Sequence, residues 1–537
     1  MFDSSATTYP YPSRRNVTYA RGGMVATSQS LAAACGLDIL RKRGNAIDAA
    51  IATAAALTVV EPTSNGIGSD SFALVWIESE KRLYGLNGSG KSPQNISIEA
   101  VRERGHETMP KQGWLPVTTP GTPAAWAELS ARFGKLPLIE ALAPAIGYAR
   151  NGYPISPTLG RSWGGSAMAY AKREGAEYAP WLDTFARGGR APKIGEMWSS
   201  PGHAATLEAI GKTCARDFYT GDIARQITDF AAKHGGFLTM DDLAAHESTW
   251  VDPISVNYRG YDVWEIPPNG QGIAALIALN ILKAYDFTHR DDERTFHLQF
   301  EAMKLAFTAA KHFVTDPGHM QIDPQALLTE DYAQKLRAEI SERAAEPKVM
   351  HPTPGGTVYL CAADDEGNMV SYIQSNYQGF GSGIVIPGTG IAMQNRGADF
   401  VLDPTHANAL VGGKKTYHTI IPAFMTKQGQ AIGPFGVMGG YMQPQGHVQM
   451  VMNTVDFGLN PQASLDAPRW QWQQGRKFTI ESNFPAHIAR RLTSLGHQIS
   501  MELEGSSFGR GQIIWRNEHG VLAGGCEPRC DSAIASY

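Results

Sequence analysis

Two segments near the start of the chain show helical spacing with different surroundings. In SQSLAAACGLDILRKRG a serine cap precedes an apolar face, basic residues occupy the last turn, and Gly44 ends the pattern. In NAIDAAIATAAALTVVEP small apolar residues lie on every side of the helix. The first segment therefore predicts an amphipathic helix, and the second predicts a helix packed closely on several sides within the core.

Up to about residue 350, short strand patterns alternate with longer helical ones. SFALVWIE and GYDVWEIP predict strands, and DDERTFHLQFEAMKLAFTAAKHF predicts a helix. The segment 324–354 is charged and helical in pattern to about Arg343. It then changes to EPKVMHPTPGG, whose three prolines and two glycines predict an exposed, flexible tether.

The chain changes character after this tether. TVYLCAA, the turn DDEGN and MVSYIQSN predict two strands joined by a tight connection. The first of these strands is expected to begin at Thr357.

Composition limits the function classes. With 537 residues, 43% hydrophobic and 18% charged, the chain can bury a large core, and its length alone would allow two to four domains. A net charge of -4 without a Lys/Arg-rich run argues against nucleic acid as a partner. The N-terminus lacks a signal-peptide core, and the longest apolar stretch, 47–60, is too short and too polar to cross a bilayer. We therefore expect a soluble cytoplasmic protein without a membrane partner.

The cysteines and histidines indicate no cofactor. Five cysteines without a CxxC pair predict neither a disulfide framework nor a zinc site. None of the fifteen histidines belongs to an HExxH motif, so no metal is predicted.

The tether ends in a feature that suits self-cleavage. A threonine hydroxyl needs a base to become a nucleophile, and the threonine's own α-amine can serve once the preceding peptide bond is cut. That amine has an ordinary pKa of about 7.7 to 8.0, so a substantial fraction is neutral near physiological pH. Gly355 and Gly356 place no side chain over the scissile carbonyl before Thr357. Cleavage between Gly356 and Thr357 would give pieces 1–356 and 357–537. A GGT tripeptide is easily a chance match, and by itself it is equally consistent with a turn that enters a strand.

From residue 22 to 537 the chain resembles the γ-glutamyltranspeptidase family, including its acylase-like and amidohydrolase members. The resemblance lies in stretches that follow the family's order: GNAIDAAIATAAALTVVEPTSNGIGSDSF, VTTPGTPAAW, GGFLTMDDLAAHES, YRGYDVWEIPPNGQGIAALIALNIL, GGTVYLCAADDEGNMVSYIQSN, GFGSGIVIPGTGIAMQNRGADF, GVMGG and EPRCDSAIASY. It implies an α+β fold of the N-terminal nucleophile hydrolase type, a four-layer αββα sandwich. It also implies that the large and small subunits produced by cleavage stay together as one structural domain.

The resemblance implies roles for four positions of the catalytic machinery. Thr357 falls on the nucleophile, and Ser375 falls where the family has a second threonine that supports it. Gly439 and Gly440 match the paired glycines whose N–H groups form the oxyanion hole. Asp399 matches the acid that holds the substrate's α-amine in glutamyl-specific members.

Other positions depart from the family's pattern. Ser89 stands where the arginine that clamps the glutamyl α-carboxylate is expected, and serine lacks its bidentate, charged fork. Tyr377 replaces an amide side chain and Arg396 a glutamine, while His418 and Thr419 replace two serines. Larger or cationic side chains predict a smaller pocket that attracts a carboxylate and repels an ammonium.

These departures favour a short anionic amide as the substrate. Among the members of the family that the chain resembles, one that hydrolyses oxamate to oxalate and ammonia during allantoin breakdown fits such a pocket, and oxamate is therefore our leading candidate. The alternatives are a glutaryl or cephalosporin-type acylase, and a glutathione hydrolase or γ-glutamyltransferase in which Arg396 replaces the missing arginine. Acyl transfer is an expected side activity, and a further oligomer of heterodimers stays open.

Several of these features also have plainer interpretations. Arg396 could pair only with Asp399, and His418 could be a packed, hydrogen-bonded histidine. GSSFG matches a nucleophile elbow at Ser507, but the strand-like GRGQIIW that follows argues against a serine hydrolase. GFGSGIVIPGTG lacks the GK[ST] ending of a phosphate loop. The rival from another class is an unprocessed, non-catalytic binding protein.

Overall fold

The computed structural model describes residues 15–347, 356–503 and 505–537. Two of our expectations concern segments outside these ranges. The absence of a signal peptide concerns residues that include 1–14, and the flexible tether includes 348–355. Both stay predictions.

Two large antiparallel sheets form the centre of the molecule. In chain order the strands are β1 Thr18–Ala20, β2 Gly23–Thr27, β3 Asp70–Ile77, β4 Arg82–Gly88, β5 Tyr153–Pro154, β6 Met197–Trp198, β7 Thr249–Val251, β8 Ile254–Tyr258, β9 Tyr261–Glu265, β10 Gly356–Asp364, β11 Met369–Tyr377, β12 Ala423–Lys427, β13 Gln430–Met438, β14 Trp470–Gln474, β15 Lys477–Glu481, β16 Gln498–Glu502, β17 Arg510–Arg516, β18 Leu522–Cys526 and β19 Ala533–Ser536. One sheet has the order β1-β18-β17-β13-β12-β9-β8 and the other β19-β2-β10-β11-β3-β4-β7. Two smaller sheets contain β14-β15-β16 and β5-β6.

Helices cover the outer faces of the two large sheets. They are α1 Ser30–Arg41, α2 Ala46–Val60, α3 Ile98–Glu103, α4 Thr122–Phe133, α5 Leu138–Asn151, α6 Pro157–Tyr170, α7 Ala179–Phe185, α8 Pro201–Thr213, α9 Arg216–Thr220, α10 Asp222–Lys233, α11 Met240–Ala244, α12 Gly272–Leu282, α13 Glu293–Phe313, α14 Glu330–Arg337, α15 Met442–Val455, α16 Pro461–Asp466 and α17 Ala486–Ser494. Short 3-10 helices lie at Ala176–Tyr178, Arg187–Gly189, Pro317–His319, Pro324–Leu328, Arg396–Asp399 and Gly505–Phe508.

The layers pack in the order helices, sheet, sheet, helices. Helices α1 and α2 lie on β2, β10 and β11, while α12 and α15 lie on the other sheet. Between the sheets, apolar side chains such as Phe72, Tyr359 and Phe424 form a buried core. This arrangement confirms the predicted αββα fold.

Local features agree with the predicted elements, with shifts at their ends. Every residue of α2 is buried, as its apolar composition predicted. Helix α1 is capped by the side chain of Gln29, which accepts from the N–H of Leu31 at 2.6 Å, and not by a serine. Helix α14 ends at Arg337, six residues before the predicted end, because the following residues turn away to contact other elements.

Within the described residues, none of the helices combines the length and the apolar character that crossing a membrane requires.

Candidate active site

The predicted nucleophile lies at the start of a central strand. Thr357 is the second residue of β10, and its side chain is fully buried. The pairing of β10 with β11 is irregular here: Gly356 lies opposite Tyr377, whereas Val358 lies opposite Gln374. This bulge leaves Thr357 without a regular strand partner, as is common beside active sites.

Ser375 connects the Thr357 hydroxyl to the peptide bond before it. Its Oγ lies 3.0 Å from Thr357 Oγ1 and donates to the carbonyl oxygen of Gly356 at 2.7 Å. It also accepts from the N–H of Tyr377 at 2.7 Å. Because Ser375 has one proton and gives it to Gly356, the Thr357 hydroxyl donates to Ser375. The arrangement draws the proton away from Thr357 Oγ1 and polarises the Gly356 carbonyl.

Gly439 and Gly440 form the turn between β13 and α15. Their φ angles of 132° and 60° lie in the region that favours glycine. No described residue accepts a hydrogen bond from either N–H, whereas Gln271 Nε2 donates to the carbonyl of Gly440 at 2.9 Å. Both N–H groups are therefore available to a negatively charged oxygen.

The end of β13 lies against the start of β10. A side chain at Gly436 would meet the ring of Tyr359 at 2.6 Å. Gly439 lies three residues after Gly436, just beyond the end of β13, and Thr357 lies two residues before Tyr359 in β10. Cys361 Sγ lies 3.6 Å from the carbonyl oxygen of Pro434, so the two strands run in opposite directions where they pack, and the glycine turn lies toward the end of β10 that contains Thr357.

Arg396 and Asp399 form a buried ion pair on a short 3-10 helix. Nη1 of Arg396 lies 3.3 Å from Asp399 Oδ2 and donates to Thr419 Oγ1 at 2.8 Å. The guanidinium group lies 4.0 Å over the ring of Tyr377. Although the residue is only 1% exposed, Nε and Nη2 have no hydrogen-bond partner among the described residues. Such buried orphan donors are rare and suit a ligand.

The other oxygen of Asp399 is already occupied. Its Oδ1 accepts from the hydroxyl of Tyr377 at 2.9 Å and from that of Tyr441 at 3.0 Å. With Arg396 on Oδ2, the carboxylate receives three donors from the protein. Little of its capacity is left for a substrate ammonium.

Comparison with known proteins identifies the family. The family profile described as gamma-glutamyltranspeptidase matches residues 32–537. The chain belongs to the gamma-glutamyltranspeptidase family. It is 35% identical to the glutathione hydrolase-like YwrD proenzyme of Bacillus subtilis, covering 95% of this chain and 97% of that protein. It is 34% identical to the oxamate amidohydrolase proenzyme of Klebsiella pneumoniae, covering 96% and 98%.

A solved structure supports the same placement. The chain matches the crystal structure of cephalosporin acylase from Bacillus halodurans with a TM-score of 0.97 and 58% identity, covering 100% of this chain and 99% of that one. The protein is therefore a hydrolase of amide C–N bonds with the N-terminal nucleophile fold. Both of these relatives are named as proenzymes.

At the position of the family's clamping arginine, Ser89 lies in a polar network. Its Oγ donates to Asn87 Oδ1 at 2.7 Å, and Asn269 Nδ2 lies 3.3 Å from the same Oγ. Lys415 Nζ also donates to Asn87 Oδ1, at 3.3 Å. A cation therefore lies two hydrogen bonds from Ser89, although Ser89 itself carries no charge.

His418 is held by the protein at both ring nitrogens. Nε2 lies 3.1 Å from Asp70 Oδ2, and Nδ1 accepts from the N–H of Ile420 at 3.3 Å. Burial lowers the pKa of His418 well below its ordinary value, and the nearby Arg396 adds to this effect. The ring is therefore neutral and donates from Nε2 to Asp70. Burial raises the pKa of Asp70 to about 7 against the opposing effect of Arg396.

The structure brings most of the predicted site residues together. Thr357 and Ser375 touch directly, and Arg396, Asp399, Tyr377 and Thr419 form a second connected set. Tyr377 links the two sets through its backbone bond to Ser375. The substrate-binding roles of these residues and of Ser89 and His418 stay predictions.

Sequence reasoning missed residues that complete the site. Tyr441 directly follows the glycine pair and bonds Asp399, and Asp70 lies opposite Ser375 in β3. Lys311 of α13 donates to the Tyr441 hydroxyl. The stretch that carried the resemblance contains Asp70, and Tyr441 adjoins another, so both could have been singled out. Nothing in the sequence pattern marked Lys311.

One cluster elsewhere has the composition of a metal site. His297, Glu301 and His497 bring their ligand atoms within 4.8 Å of one another, and the four-residue spacing of His297 and Glu301 on α13 is a signal that we overlooked. Lys304 Nζ lies 2.6 Å from Glu301 Oε1, and the two imidazoles are hydrogen-bonded at 2.9 Å. The lysine thus already supplies the positive charge that the carboxylate needs.

Proposed function

We propose that the protein is a self-processing amidohydrolase for amides whose acyl group carries a carboxylate. The observation that carries the proposal is the orphan pair of donors on Arg396. A buried donor without a partner costs about 1–3 kcal/mol, and more when it is charged. A carboxylate would satisfy Nε and Nη2 together by a bidentate, charge-assisted contact.

Self-cleavage would use the contacts of Ser375. Thr357 Oγ1 attacks the Gly356 carbonyl carbon, and its proton passes by way of Ser375 to the leaving nitrogen. The acyl group thus moves from nitrogen to oxygen, and the α-amine of Thr357 is freed. Water then hydrolyses the ester, which leaves a carboxylate on Gly356 and regenerates the Thr357 hydroxyl.

The same threonine would then act on substrates. The α-amine takes the proton of the Thr357 hydroxyl as Oγ1 attacks the amide carbon. The N–H groups of Gly439 and Gly440 stabilise the oxyanion, a contribution of about 3–4 kcal/mol for one such donor in well-studied hydrolases. The amine product leaves with a proton, and water clears the acyl-enzyme.

Oxamate is the substrate that we favour. Its carboxylate is bonded directly to the amide carbon, so it suits a site whose walls include the phenol rings of Tyr377 and Tyr441. It also lacks the α-amine for which Asp399 has little capacity left. The products would be oxalate and ammonia.

An acylase for a short dicarboxylic acyl group is the second candidate. The 58% identity to a structure named as a cephalosporin acylase, over the full chain, favours it. Glutaryl amides also carry a carboxylate for Arg396. Glutathione hydrolysis is disfavoured because Ser89 lacks a charge and Asp399 is occupied by two tyrosines.

Turnover of matched amides tests this proposal. The processed enzyme is assayed with oxamate, glutaryl anilide and γ-glutamyl anilide, together with Arg396→Ala and Arg396→Lys variants. We expect a carboxylate-bearing amide without an α-amine to be preferred. We also expect Arg396→Ala to lower kcat/KM about 100-fold or more, since a charged bidentate contact is lost.

The controls decide between the alternatives. Arg396→Lys keeps the positive charge but cannot make the bidentate contact, so its kcat/KM should lie between those of Arg396→Ala and wild type. Turnover of the γ-glutamyl anilide equal to or above both other substrates would refute the proposal. An uncut chain without any turnover would support the non-catalytic binding protein instead.

A further inference from the structure

Lys311 lies beside the residues proposed to bind the acyl group of the substrate. It is on helix α13 of the predicted large subunit, whereas those residues belong to the predicted small subunit. Its ammonium group is 3.9 Å from the centre of the Tyr417 ring and 4.0 Å from that of Tyr441. It also donates to the hydroxyl of Tyr441. Two aromatic faces and one phenol therefore hold a cation at this point.

Tyr441 connects Lys311 to Asp399 through two hydrogen bonds. The phenol accepts from Lys311 and donates to Asp399 Oδ1 at 3.0 Å. On the other side of the carboxylate, Arg396 contacts Oδ2 at 3.3 Å. One acidic side chain thus lies between two basic ones.

The charges of this group do not balance. Lys311 and Arg396 contribute two positive charges and Asp399 one negative charge. The ionisable groups that face or act on Lys311 are Tyr417, Tyr441, Asp399, Arg396 and His406. The two tyrosines stay neutral because burial raises the pKa of both hydroxyls well above the ordinary value. Among Lys311, Arg396 and Asp399 the surplus is one positive charge, since His406, whose pKa burial lowers, adds none near neutral pH. Asp70, which also interacts with Arg396, stays partly protonated near neutral pH because burial raises its pKa to about 7.

We propose that Lys311 is a specificity-determining residue that reserves Arg396 for a substrate carboxylate by sharing the charge of Asp399. It acts through Tyr441 and Asp399 and does not itself touch the reacting atoms, so it is a positioning residue. The inference rests on the proposed function, because the anion that it selects is the acyl carboxylate.

The physical reason is competition for Asp399. Without the ammonium, Arg396 and Asp399 would form a neutral pair, and the guanidinium would turn its donors toward Asp399. A neutral site no longer gains from binding an anion. With Lys311 present, the pair retains one charge in a buried setting, where a charged contact is stronger than in water.

Two anilide substrates that differ only in a carboxylate test whether the charge of Lys311 matters. The processed enzyme and the Lys311→Met variant are assayed with glutaryl anilide and with pentanoyl anilide, which lacks the carboxylate. We expect the variant to raise KM for the glutaryl amide about tenfold, as loss of one charged interaction of typical strength implies, with kcat changed less than KM. KM for the pentanoyl amide should not change.

Two further variants separate charge from packing. Lys311→Arg should restore the KM of the glutaryl amide. Lys283→Met removes a lysine charge from the end of the neighbouring helix α12, where Lys283 pairs with Glu330 at 3.1 Å. This variant should leave KM unchanged for both substrates. Equal changes for both substrates in Lys311→Met would show a structural role and overturn the inference.

The pH profile supplies a readout that packing alone would not move. Burial lowers the pKa of Lys311 to about 8, and Asp399 opposes this shift. The lysine therefore loses its proton above about pH 8, and KM for the glutaryl amide should rise there. In Lys311→Arg this rise should disappear, because arginine stays protonated.

A binding measurement keeps the inference separate from the proposed function. The melting temperature is measured with glutarate and, as the neutral match, glutaramide, in wild type, Lys311→Met and Lys311→Arg. Stabilisation by glutarate that is lost in Lys311→Met and kept in Lys311→Arg supports the role of Lys311 even if no amide is turned over. No stabilisation of the wild type, or equal stabilisation of Lys311→Met, would refute it.

Discussion

At the scale of single residues, Ser375 has more than one use in the uncut chain. It accepts from Tyr377 N–H, contacts Thr357 Oγ1 and donates to the Gly356 carbonyl. The last bond exists only while Gly356 and Thr357 are joined. The hydroxyl of Ser375 is therefore placed where the proposed self-cleavage and the proposed turnover would both use it.

Ser375→Ala should slow self-cleavage. Loss of the hydroxyl removes both the proton acceptor for Thr357 and the donor for the scissile carbonyl. We therefore expect the rate of self-cleavage to fall by about 100-fold or more. Ser375→Thr keeps the hydroxyl and should mature. The fraction cut is followed over time by intact mass under denaturing conditions.

Ser371→Ala is the matched control, because this serine lies on the same strand and its hydroxyl instead pairs with that of Tyr359 at 2.7 Å. Maturation of Ser375→Ala at the wild-type rate would remove Ser375 from the mechanism.

At the scale of elements, the β13–α15 connection depends on glycine. Gly439 has a φ of 132°, which other residues rarely adopt, and an added Cβ would lie 3.1 Å from Gly509 Cα. The turn presents two N–H groups that have no partner among the described residues, because its backbone takes this course. A side chain at Gly439 would change the direction of these N–H groups more than it would change strand β13.

Gly439→Ala should therefore lower kcat by about 100-fold or more, as loss of an oxyanion donor does. Gly458→Ala is the control: its φ is 63°, and no atom lies within 4 Å of an added Cβ. It should cost about 1 kcal/mol of unfolding free energy and leave kcat unchanged. Steady-state kinetics and denaturant unfolding measure both, and a Gly439→Ala enzyme with normal kcat would exclude this turn as the oxyanion hole.

At the scale of the whole molecule, both large sheets contain strands from each side of the predicted cut. In one sheet β10 and β11 lie between β2 and β3, and in the other β12 pairs with β9. The last strand, β19, adds to the edge of β2. Separating 1–356 from 357–537 would therefore break ladders in both sheets and expose the core between them.

We expect the two pieces to stay together after cleavage. Wild type should give two masses that meet at Gly356 and Thr357 under denaturing conditions, yet elute as one species from a native sizing column. Thr357→Ala should give a single uncut chain of the same native size. Dissociation of the pieces in native buffer would contradict the single-domain prediction, and an uncut wild type would contradict the catalytic threonine.

Single elements of the fold follow from local sequence patterns, whereas the four-layer architecture and the roles at the site were inferred from the resemblance to the family. The buried helix α2 and the strand pair β10–β11 were predicted because side-chain periodicity reflects burial directly. The Thr357 and Ser375 positions are eighteen residues apart on paired strands, so one hairpin suffices to bring them together. The glycine pair was identified from the resemblance to the family, through the stretch GVMGG.

Tertiary structure alone decided the electrostatics of the pocket. Arg396 and Asp399 are three residues apart, and the sequence already allowed their pairing. The orphan donors of Arg396, the two tyrosines on Asp399 and the neutral state of His418 were not predictable. Lys311 lies 130 residues before Tyr441, and they meet only because α13 packs beside the glycine turn. Which charges share a buried space depends on packing between distant elements, and no periodicity of the chain records it.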